Sequence, residues 1–174
     1  VFFPTVERAL KENDIVLFSG GSSVGMRDLG EQAIERIGDP GILIHGVSLK
    51  PGKPVIIGVC KRTPVFGLPG HPVSAMVCFD LFVRPTLQSI SGLVSQDLMP
   101  ALQARLKRSI NSAAGRRDVV RVELSLSKAG LEAYPVLGKS GAISTLSQAH
   151  GYFIIDEHSQ GQATDTFVNV YLYP

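Results

Sequence analysis

The sequence is poor in the residues that would mark a secreted chain or a membrane chain. It has two cysteines, Cys60 and Cys78, and no tryptophan among its 174 residues. The cysteines form no C-x-x-C pair, and Cys78 lies in an apolar helical pattern, so we expect reduced thiols in a cytoplasmic protein. No apolar run reaches the roughly 20 residues that a membrane helix needs, and residues 1–10 do not have the pattern of a signal peptide.

The sequence also has no large excess of charge of either sign. Seventeen Lys and Arg residues face fifteen Asp and Glu residues, which gives a formal net charge of +2. A nucleic-acid-binding domain usually carries a strong basic stripe, so we expect no nucleic acid partner. With 44% hydrophobic and 18% charged residues, the chain has the composition of a globular protein with one core or two small ones.

Strands, glycine turns and helices alternate over the first 92 residues, which predicts an α/β layer fold. Residues 14–18 contain four consecutive apolar residues, a pattern typical of a strand that is buried on both faces of a parallel sheet. The turn at Lys50-Pro51-Gly52-Lys53 joins two further predicted strands, and Arg84-Pro85 predicts a kink in the last helix. The predicted helices are 4–13, 29–37 and 73–90, and the predicted strands are 14–18, 42–49, 54–60 and 64–68.

The pattern changes near Ser91-Gly92. Beyond this point the chain has short alternating segments separated by Gly and Asn, with no long helical pattern, which predicts a small all-β domain. The segments are 119–126, 131–136, 152–155 and 167–173. We therefore place the domain boundary between residues 92 and 93, with domains at 1–92 and 93–174.

Two chemistries fit the stretch that follows the first strand. Gly21-Ser22-Ser23-Val24-Gly25 matches the G-x-S-x-G elbow of serine hydrolases, in the required position between a strand and a helix. A hydrolase would also need a histidine and an acid, and none of the four histidines is marked out by its surroundings. Alternatively, Gly20, Gly21 and Ser23 lead into a helix starting near Asp28, and backbone N–H groups at such a turn attract anions. Asp28 could also be no more than a helix N-cap.

Two further stretches favour an anion site. Lys50-Pro51-Gly52-Lys53-Pro54 places two ammonium groups on one turn, which suits a small oxyanion, although a solvated basic turn would look the same. A second strand-to-helix turn contains Gly70 and Ser74. Because parallel α/β sheets bind ligands beyond the carboxyl ends of their strands, this turn could form another wall of the same pocket.

In this order, the motifs S-G-G-S-S-V-G-x-x-D, K-P-G-K-P and G-L-P-G-x-P-V-S-A resemble the molybdopterin molybdotransferases, the family that includes the gephyrin E domain. The resemblance spans residues 11–92. The stretches G-R-R-D-V-V-R at 115–121, K-S-G at 139–141 and A-H-G at 149–151 are similar to the C-terminal β-barrel domain of that family. The resemblance implies that 1–92 is the C-terminal part of a three-layer α/β molybdopterin-binding domain and that 93–174 is the barrel.

The resemblance also implies a reaction, in which molybdate replaces the adenylyl group of adenylylated molybdopterin, with Mg²⁺, and AMP is released. Ser23 and Asp28 would then belong to the nucleotide and metal region, and Asp28 would bind the metal. Lys50, Lys53 and Asp28 are the catalytic candidates. The substrate-binding candidates are Gly20, Gly21, Ser23, Pro54, Gly70, Ser74, Arg121 and Ser140, of which Arg121 and Ser140 would join the molybdate pocket from the barrel.

The sequence departs from the family at two positions, since Met26 replaces an acid that many members have and His71 replaces an Asn. The α/β domain of the family also begins earlier than this chain does. The chain is therefore either a fragment of a longer protein or a shortened relative. We expect a fragment of a homodimeric protein, and a fragment of this kind would not turn over alone. The alternative to an enzyme is a non-catalytic molybdopterin-binding or scaffold module of the same fold.

Overall fold

The computed structural model describes residues 2–19, 24–93, 101–138, 141 and 143–173, and for residues 24–28 it describes the backbone alone. The chain separates into two units. The first comprises residues 1–47 and 52–94, and the second comprises residues 48–51 and 95–174. The short segment 48–51 is thus grouped with the second unit although the chain on both sides of it belongs to the first. Our single boundary at 92/93 does not represent this, and the domain assignment stays a prediction.

The helices and strands of the first unit follow the alternation that the sequence predicts. Its elements are α1 (Phe2–Glu12), β1 (Val16–Ser19), α2 (Val24–Ile37), β2 (Pro40–His45), β4 (Ile56–Cys60), β5 (Thr63–Leu68), α3 (Pro72–Cys78), a π-helical turn (Phe79–Val83) and α4 (Arg84–Ile90), while β3 (Leu49–Lys50) belongs to the second unit. The predicted α/β class is confirmed for this unit.

The sheet of the first unit has the strand order β1-β5-β4-β2. Strand β1 is parallel to β5, whereas β5 with β4 and β4 with β2 are antiparallel. Lys61 and Arg62 join β4 to β5 with φ angles of 48° and 76°, and two positive φ angles are typical of a type I′ hairpin turn. The sheet is therefore mixed.

The expectation that the first strand is buried on both faces is wrong for Leu17. This side chain is 40% exposed, while Val16 beside it is buried. Within the described residues β1 pairs with β5 alone, so it is an edge strand of this sheet. An edge strand has fewer neighbours to cover its side chains than an internal strand has.

The core of the first unit lies between α2 and the sheet. Val16, Ile34, Ile56, Cys60 and Val65 form its buried cluster. Burial of these apolar side chains is the main favourable contribution to the stability of the unit. No helix in the described part of the chain is long and apolar enough to cross a membrane.

The predicted strand at 42–49 divides into two. Strand β2 ends at His45 and pairs with β4 as expected, but with a register shift between Ile42 and Ile44. Gly46 then has a φ of 82°, a conformation that glycine adopts readily and that ends the strand. Strand β3 follows and pairs in parallel with β8 (Arg117–Ser127) of the second unit, not with β4. The Lys50–Lys53 turn is therefore not a simple hairpin turn.

The predicted helix 73–90 forms, and its regular α-helical pattern is interrupted close to Arg84-Pro85, where we predicted a kink. A π-helical turn separates α3 from α4 immediately before these residues. Proline has no N–H to donate, and its ring crowds the carbonyl four residues earlier, so a locally wider turn relieves the conflict without ending the helix. Thr86 Oγ1 donates to the carbonyl oxygen of Phe82 at 2.8 Å and satisfies one carbonyl of this turn.

The second unit contains the barrel that the sequence predicts. Its remaining elements are β6 (Ala101–Leu106), β7 (Ile110–Asn111), β8, β9 (Gly130–Pro135), α5 (Ser144–Gln148), β10 (Gly151–Ile155), β11 (Gly161–Gln162) and β12 (Phe167–Leu172). Five strands close in the order β10-β12-β6-β9-β8, because β8 also pairs with β10. Phe153, Ile155, Leu106, Val122 and Val170 fill the interior.

Candidate functional site

The two strand-to-helix turns of the first unit begin side by side. In the parallel pairing of β1 with β5, Ser19 is the register partner of Leu68, and these are the last residues of the two strands. Ser19 Oγ donates to the carbonyl oxygen of Pro69 at 3.4 Å. The chain that enters the Gly20 turn and the chain that enters the Gly70 turn therefore leave the same edge of the sheet, which is where α/β sheets bind ligands.

Three predicted residues of the first turn, Gly20, Gly21 and Ser23, lie outside the described residues. Helix α2 begins at Val24, earlier than the start near Asp28 that we predicted. Asp28 is therefore the fifth residue of the helix, and the alternative that it is an N-cap is wrong. Its backbone lies one helical turn after the start of α2, in the half of the helix that follows β1.

The second turn differs in exposure along its length. Gly70 and His71 are exposed, and α3 begins at Pro72, in the favoured first position of a helix. Ser74 in the first turn of α3 is 5% exposed. The amide of Ala75 donates to the carbonyl oxygen of His71 at 2.9 Å, which fixes the start of the helix. The exposed part of this turn is thus its glycine and histidine, and the serine lies beneath them.

The first-unit part of the K-P-G-K-P motif is fixed through its backbone. Val47 N–H donates to the carbonyl oxygen of Lys53 at 2.9 Å. Gly52 has a φ of 121°, which L residues with a side chain rarely adopt, and its carbonyl oxygen accepts from Cys78 Sγ at 3.5 Å. Burial raises the pKa of the Cys78 thiol to about 12, so the thiol stays protonated and can donate. Lys53 is exposed on this fixed backbone, next to the half-buried Pro54.

Lys50 has a different environment, in the second unit. It is the register partner of Asp118 in the pairing of β3 with β8. Its Nζ lies 3.6 Å from Asp118 Oδ2, and the Lys50 side chain is 60% exposed while that of Asp118 is 6% exposed. Arg116 Nε donates to the other carboxylate oxygen, Oδ1, at 2.8 Å. A buried carboxylate thus holds two cations, of which the lysine faces solvent.

Arg121 is the buried cation of the barrel. It lies on β8, is 7% exposed and donates through Nη1 to Thr145 Oγ1 of α5. Burial lowers the pKa of its guanidinium, because the charged form loses its hydration. The hydroxyl of Thr145 is thus a neutral hydrogen-bond partner of this cation, and electrostatic interaction with Tyr173 opposes the fall in pKa. The other barrel residue that we predicted, Ser140, lies outside the described residues.

Sequence reasoning missed the ion pairs that Asp118 forms with Arg116 and Lys50. Arg116 and Asp118 belong to the G-R-R-D-V-V-R stretch, of which only Arg121 was given a role. The signal in the sequence was a lone acid directly after two arginines and before an apolar run, which predicts a carboxylate that is partly buried and paired. Its partner Lys50 could not be found from the sequence, because the pairing of β3 with β8 joins residues 68 positions apart.

One group of carboxylate and imidazole side chains in the described residues has the spacing of metal ligands. It comprises Asp156, Glu157 and His158, in the turn after β10. Arg117 Nε lies 2.5 Å from Glu157 Oε2 and neutralises that carboxylate, whose pKa this hydrogen bond lowers. The group is explained by this ion pair, and it is not among the residues that we predicted.

These observations define a class of protein. An α/β unit with two strand-to-helix turns at one sheet edge is joined to a closed five-stranded barrel that carries a buried arginine and a paired lysine. Such a combination of backbone donors and fixed cations is typical of proteins that bind anionic ligands.

Two family models match the chain, one after the other along the sequence. Residues 4–89 match "Probable molybdopterin binding domain", and residues 103–173 match "MoeA C-terminal region (domain IV)". The chain belongs to the molybdopterin molybdotransferase family, as the resemblance predicted.

Individual relatives agree with these matches. A molybdopterin biosynthesis protein of Methanocaldococcus jannaschii is 36% identical over 96% of this chain and 38% of its own length. Molybdopterin molybdenumtransferase 2 of Mycobacterium tuberculosis is 35% identical over 71% of this chain and 31% of its own length. A crystal structure of the molybdopterin biosynthesis MoeA protein of Pyrococcus horikosii superposes with a TM-score of 0.81 at 36% identity, over 98% of this chain and 40% of that one. The chain thus spans less than half the length of each of these three proteins.

Proposed function

We propose that the protein containing this chain is a molybdopterin molybdotransferase, which inserts molybdate into adenylylated molybdopterin and releases AMP. Membership of the family supports a role in molybdenum cofactor synthesis. The observation that carries the proposal is the register of β1 with β5, which starts the two glycine turns at one edge of the sheet. A phosphate group bound at this edge would meet backbone N–H donors from two turns.

The proposed molybdate ligands are the cations that the structure holds on fixed backbone. Lys53 is exposed beside a glycine whose carbonyl is bonded to Cys78, and Lys50 is exposed beside Asp118. Arg121 lies on the barrel with a neutral hydroxyl as its partner. A doubly charged tetrahedral anion needs several fixed donors to offset the loss of its hydration, and lysines and arginines supply them. Ser140 would add a neutral donor from the same unit as Arg121.

In this mechanism the protein positions two anions and stabilises the charge of the leaving phosphate. No side chain needs to form a covalent intermediate. Ser23 therefore takes the role of a hydrogen-bond donor to phosphate with Gly20 and Gly21, while Gly70 and Ser74 line the second turn. Pro54 limits the conformations open to Lys53, because the residue before a proline is restricted to extended backbone.

Mg²⁺ is part of the proposal through Asp28. The proposal rests on the position of Asp28 in the chain, in the helix α2 that follows β1 and the first glycine turn. When bound, Mg²⁺ would neutralise negative charge on the leaving phosphate. The matched proteins are longer than this chain, so other ligands would come from residues beyond it, and we propose that the intact protein is a homodimer that completes the site.

The test is a calorimetric titration of the full chain, as the cell makes it, with molybdate in the presence and absence of AMP and Mg²⁺. We expect saturable molybdate binding that is weakened at least about tenfold by Lys53→Ala, since a charged hydrogen bond contributes roughly 1.5–3 kcal/mol. Lys11→Ala is the matched control, because Lys11 is an exposed lysine on α1 of the same unit. Release of AMP from adenylylated molybdopterin should require molybdate and should fall in Asp28→Asn.

The outcomes separate an enzyme from a scaffold. Binding and AMP release that are lost in Lys53→Ala, but kept in Lys11→Ala, support the proposal. A folded protein that binds neither molybdate nor AMP would overturn it and favour a non-catalytic module of the same fold. Reaction of Ser23 with a fluorophosphonate probe would instead favour the hypothesis that Ser23 is the nucleophile of a serine hydrolase.

A further inference from the structure

We infer that Asp118 is a positioning residue, which holds the ammonium group of Lys50 in place for the oxyanion. This inference rests on the proposed function. All the groups that carry it lie in the second unit, on β3, on β8 and in the turn before β8. Asp118 itself would not touch the oxyanion, because a carboxylate repels it, so it would act only through Lys50.

The first step is the backbone geometry. The two residues of β3 pair in parallel with Arg117 and Asp118, and Arg117 N–H donates to the carbonyl oxygen of Ser48 at 3.0 Å. This pairing places the Cα of Lys50 directly opposite that of Asp118. The lysine therefore reaches the carboxylate from a fixed point, not from a mobile loop.

The second step is the hydrogen-bonding state of Asp118. Arg116 approaches both carboxylate oxygens, with Nε at 2.8 Å from Oδ1 and Nη2 at 3.5 Å from Oδ2. The Asp118 side chain is 6% exposed, so its orientation is set by the protein. A buried carboxylate needs such partners, because an unpaired charge in the interior is strongly unfavourable. Arg116 thus fixes the carboxylate, and the fixed carboxylate then has one oxygen turned toward Lys50.

The third step is the donor count on Lys50. An ammonium group has three N–H donors, and the contact of 3.6 Å with Oδ2 uses at most one of them. The Lys50 side chain is 60% exposed, so a ligand can approach the remaining donors from solvent. A free lysine has about 2 kcal/mol of rotamer entropy, and a lysine that is already held loses less of it when the ligand binds. Two cations against one carboxylate also leave the cluster with a positive charge for an anion.

The experiment is a double-mutant cycle on molybdate binding in the full protein, with Asp118→Asn, Lys50→Ala and the double variant. Asparagine keeps the shape of the side chain and removes its charge. We expect Asp118→Asn to weaken molybdate binding about three- to tenfold, the effect of losing one preordered side chain. In the Lys50→Ala background the same change should alter the dissociation constant less than about twofold, because the group through which Asp118 acts is gone.

A structural role would give a different pattern. If Asp118 only attached β3 to the barrel, Asp118→Asn would lower the melting temperature and weaken binding by the same factor with or without Lys50. Asp165→Asn is the matched control. It removes the carboxylate that lies 3.3 Å from Lys107 on the same unit, and it should leave molybdate binding unchanged.

A second measurement keeps this inference separate from the proposed function. The order parameter of the Lys50 side chain, measured by NMR on ¹³C-labelled lysine, does not need an oxyanion. We expect it to fall in Asp118→Asn and not in Asp165→Asn. If the wild-type protein bound no molybdate, the proposed function would fail, and this measurement alone would decide whether Asp118 orders Lys50. An unchanged order parameter, or binding unaffected by Asp118→Asn, would overturn the inference.

Discussion

At the scale of single residues, the α/β unit depends on two glycines that make room for one ring. A Cβ atom on Gly30 would lie 2.4 Å from the Phe18 ring, and a Cβ atom on Gly67 would lie 2.8 Å from the same ring. Phe18 is on β1, Gly30 is on α2 and Gly67 is on β5. The ring therefore sets how closely the helix packs on the two strands whose ends carry the candidate turns.

The prediction at this scale concerns Gly67→Ala. The added methyl group meets a ring and the Cβ of Ile56 at 3.2 Å, and core overpacking typically costs about 1–3 kcal/mol, so we expect a loss of that size in the free energy of unfolding. Urea denaturation followed by circular dichroism measures it. The double variant Gly67→Ala/Phe18→Leu is the control, because leucine is smaller than phenylalanine and leaves room for the added methyl group. A double variant less stable than the sum of its two single variants would contradict the steric explanation.

At the scale of elements, the helix from Pro72 to Ile90 contains a feature that its sequence pattern did not predict. Asp80 lies in the π-helical turn, Arg84 follows the turn directly, and their side chains form an ion pair. The Asp80 side chain is 2% exposed. Burial raises the pKa of Asp80, and the charge of Arg84 opposes that rise. Among the residues that the structure describes, the buried carboxylate of Asp80 thus has Arg84, four residues away, as its ion-pair partner.

We predict that Arg84→Ala destabilises the protein by about 3 kcal/mol at about pH 7, because it leaves a buried carboxylate without its cation. The loss should shrink as the pH falls. Without Arg84 the folded-state pKa of Asp80 moves further above the ordinary value of 3.8, so the folded protein takes up a proton that the unfolded chain does not. The variant therefore gains stability relative to the wild type as the pH drops through that folded-state pKa. Urea denaturation at about pH 7 and about pH 4.5 measures the difference.

The apolar double variant Asp80→Leu/Arg84→Met is the control for that experiment. It removes both charges and keeps a similar volume, so its stability at about pH 7 should lie within about 1–2 kcal/mol of the wild type, and the pH dependence that comes from Asp80 should be lost. A penalty for Arg84→Ala that is equal at both pH values would mean that Asp80 is not the group responsible.

Local patterns in the sequence predicted most elements but not how they pair. Apolar runs and glycine turns placed β1, β4, β5 and the long helix, because these depend on neighbours in the chain. The hairpin between residues 42 and 60 was only partly right. Gly46 ends β2 earlier than we predicted, and Lys50 pairs with Asp118 instead of with β4. The residues near Lys50 in the sequence do not predict a contact with a residue so far along the chain. The same reason explains why Lys50 was found as a cation and Asp118 was not found as its partner.

At the scale of the whole molecule, two hydrophobic cores were predicted from the change of pattern near residue 92, and each unit has its own buried cluster. The sequence could not show that residues 48–51 belong with the barrel, since the chain before and after them is grouped with the α/β unit. The consequence is functional, because Lys50 and Lys53 lie on one five-residue motif but in different units. The free energy of local opening around each lysine should therefore depend on the hydrophobic core of its own unit.

This difference can be measured by hydrogen exchange. Phe153→Ala removes a side chain from the barrel core and should destabilise it by about 3–5 kcal/mol, while Ile34→Ala should destabilise the α/β core by about 2–5 kcal/mol. We expect the amides of β3 to lose protection in Phe153→Ala and to keep it in Ile34→Ala, since their partners are on β8. The amides of β4 should respond in the opposite way and serve as the internal control. If the β3 amides instead lost protection in Ile34→Ala, the stability of residues 48–51 would depend on the α/β core. The pairing that holds Lys50 beside Asp118 would then not be the contact that stabilises this segment.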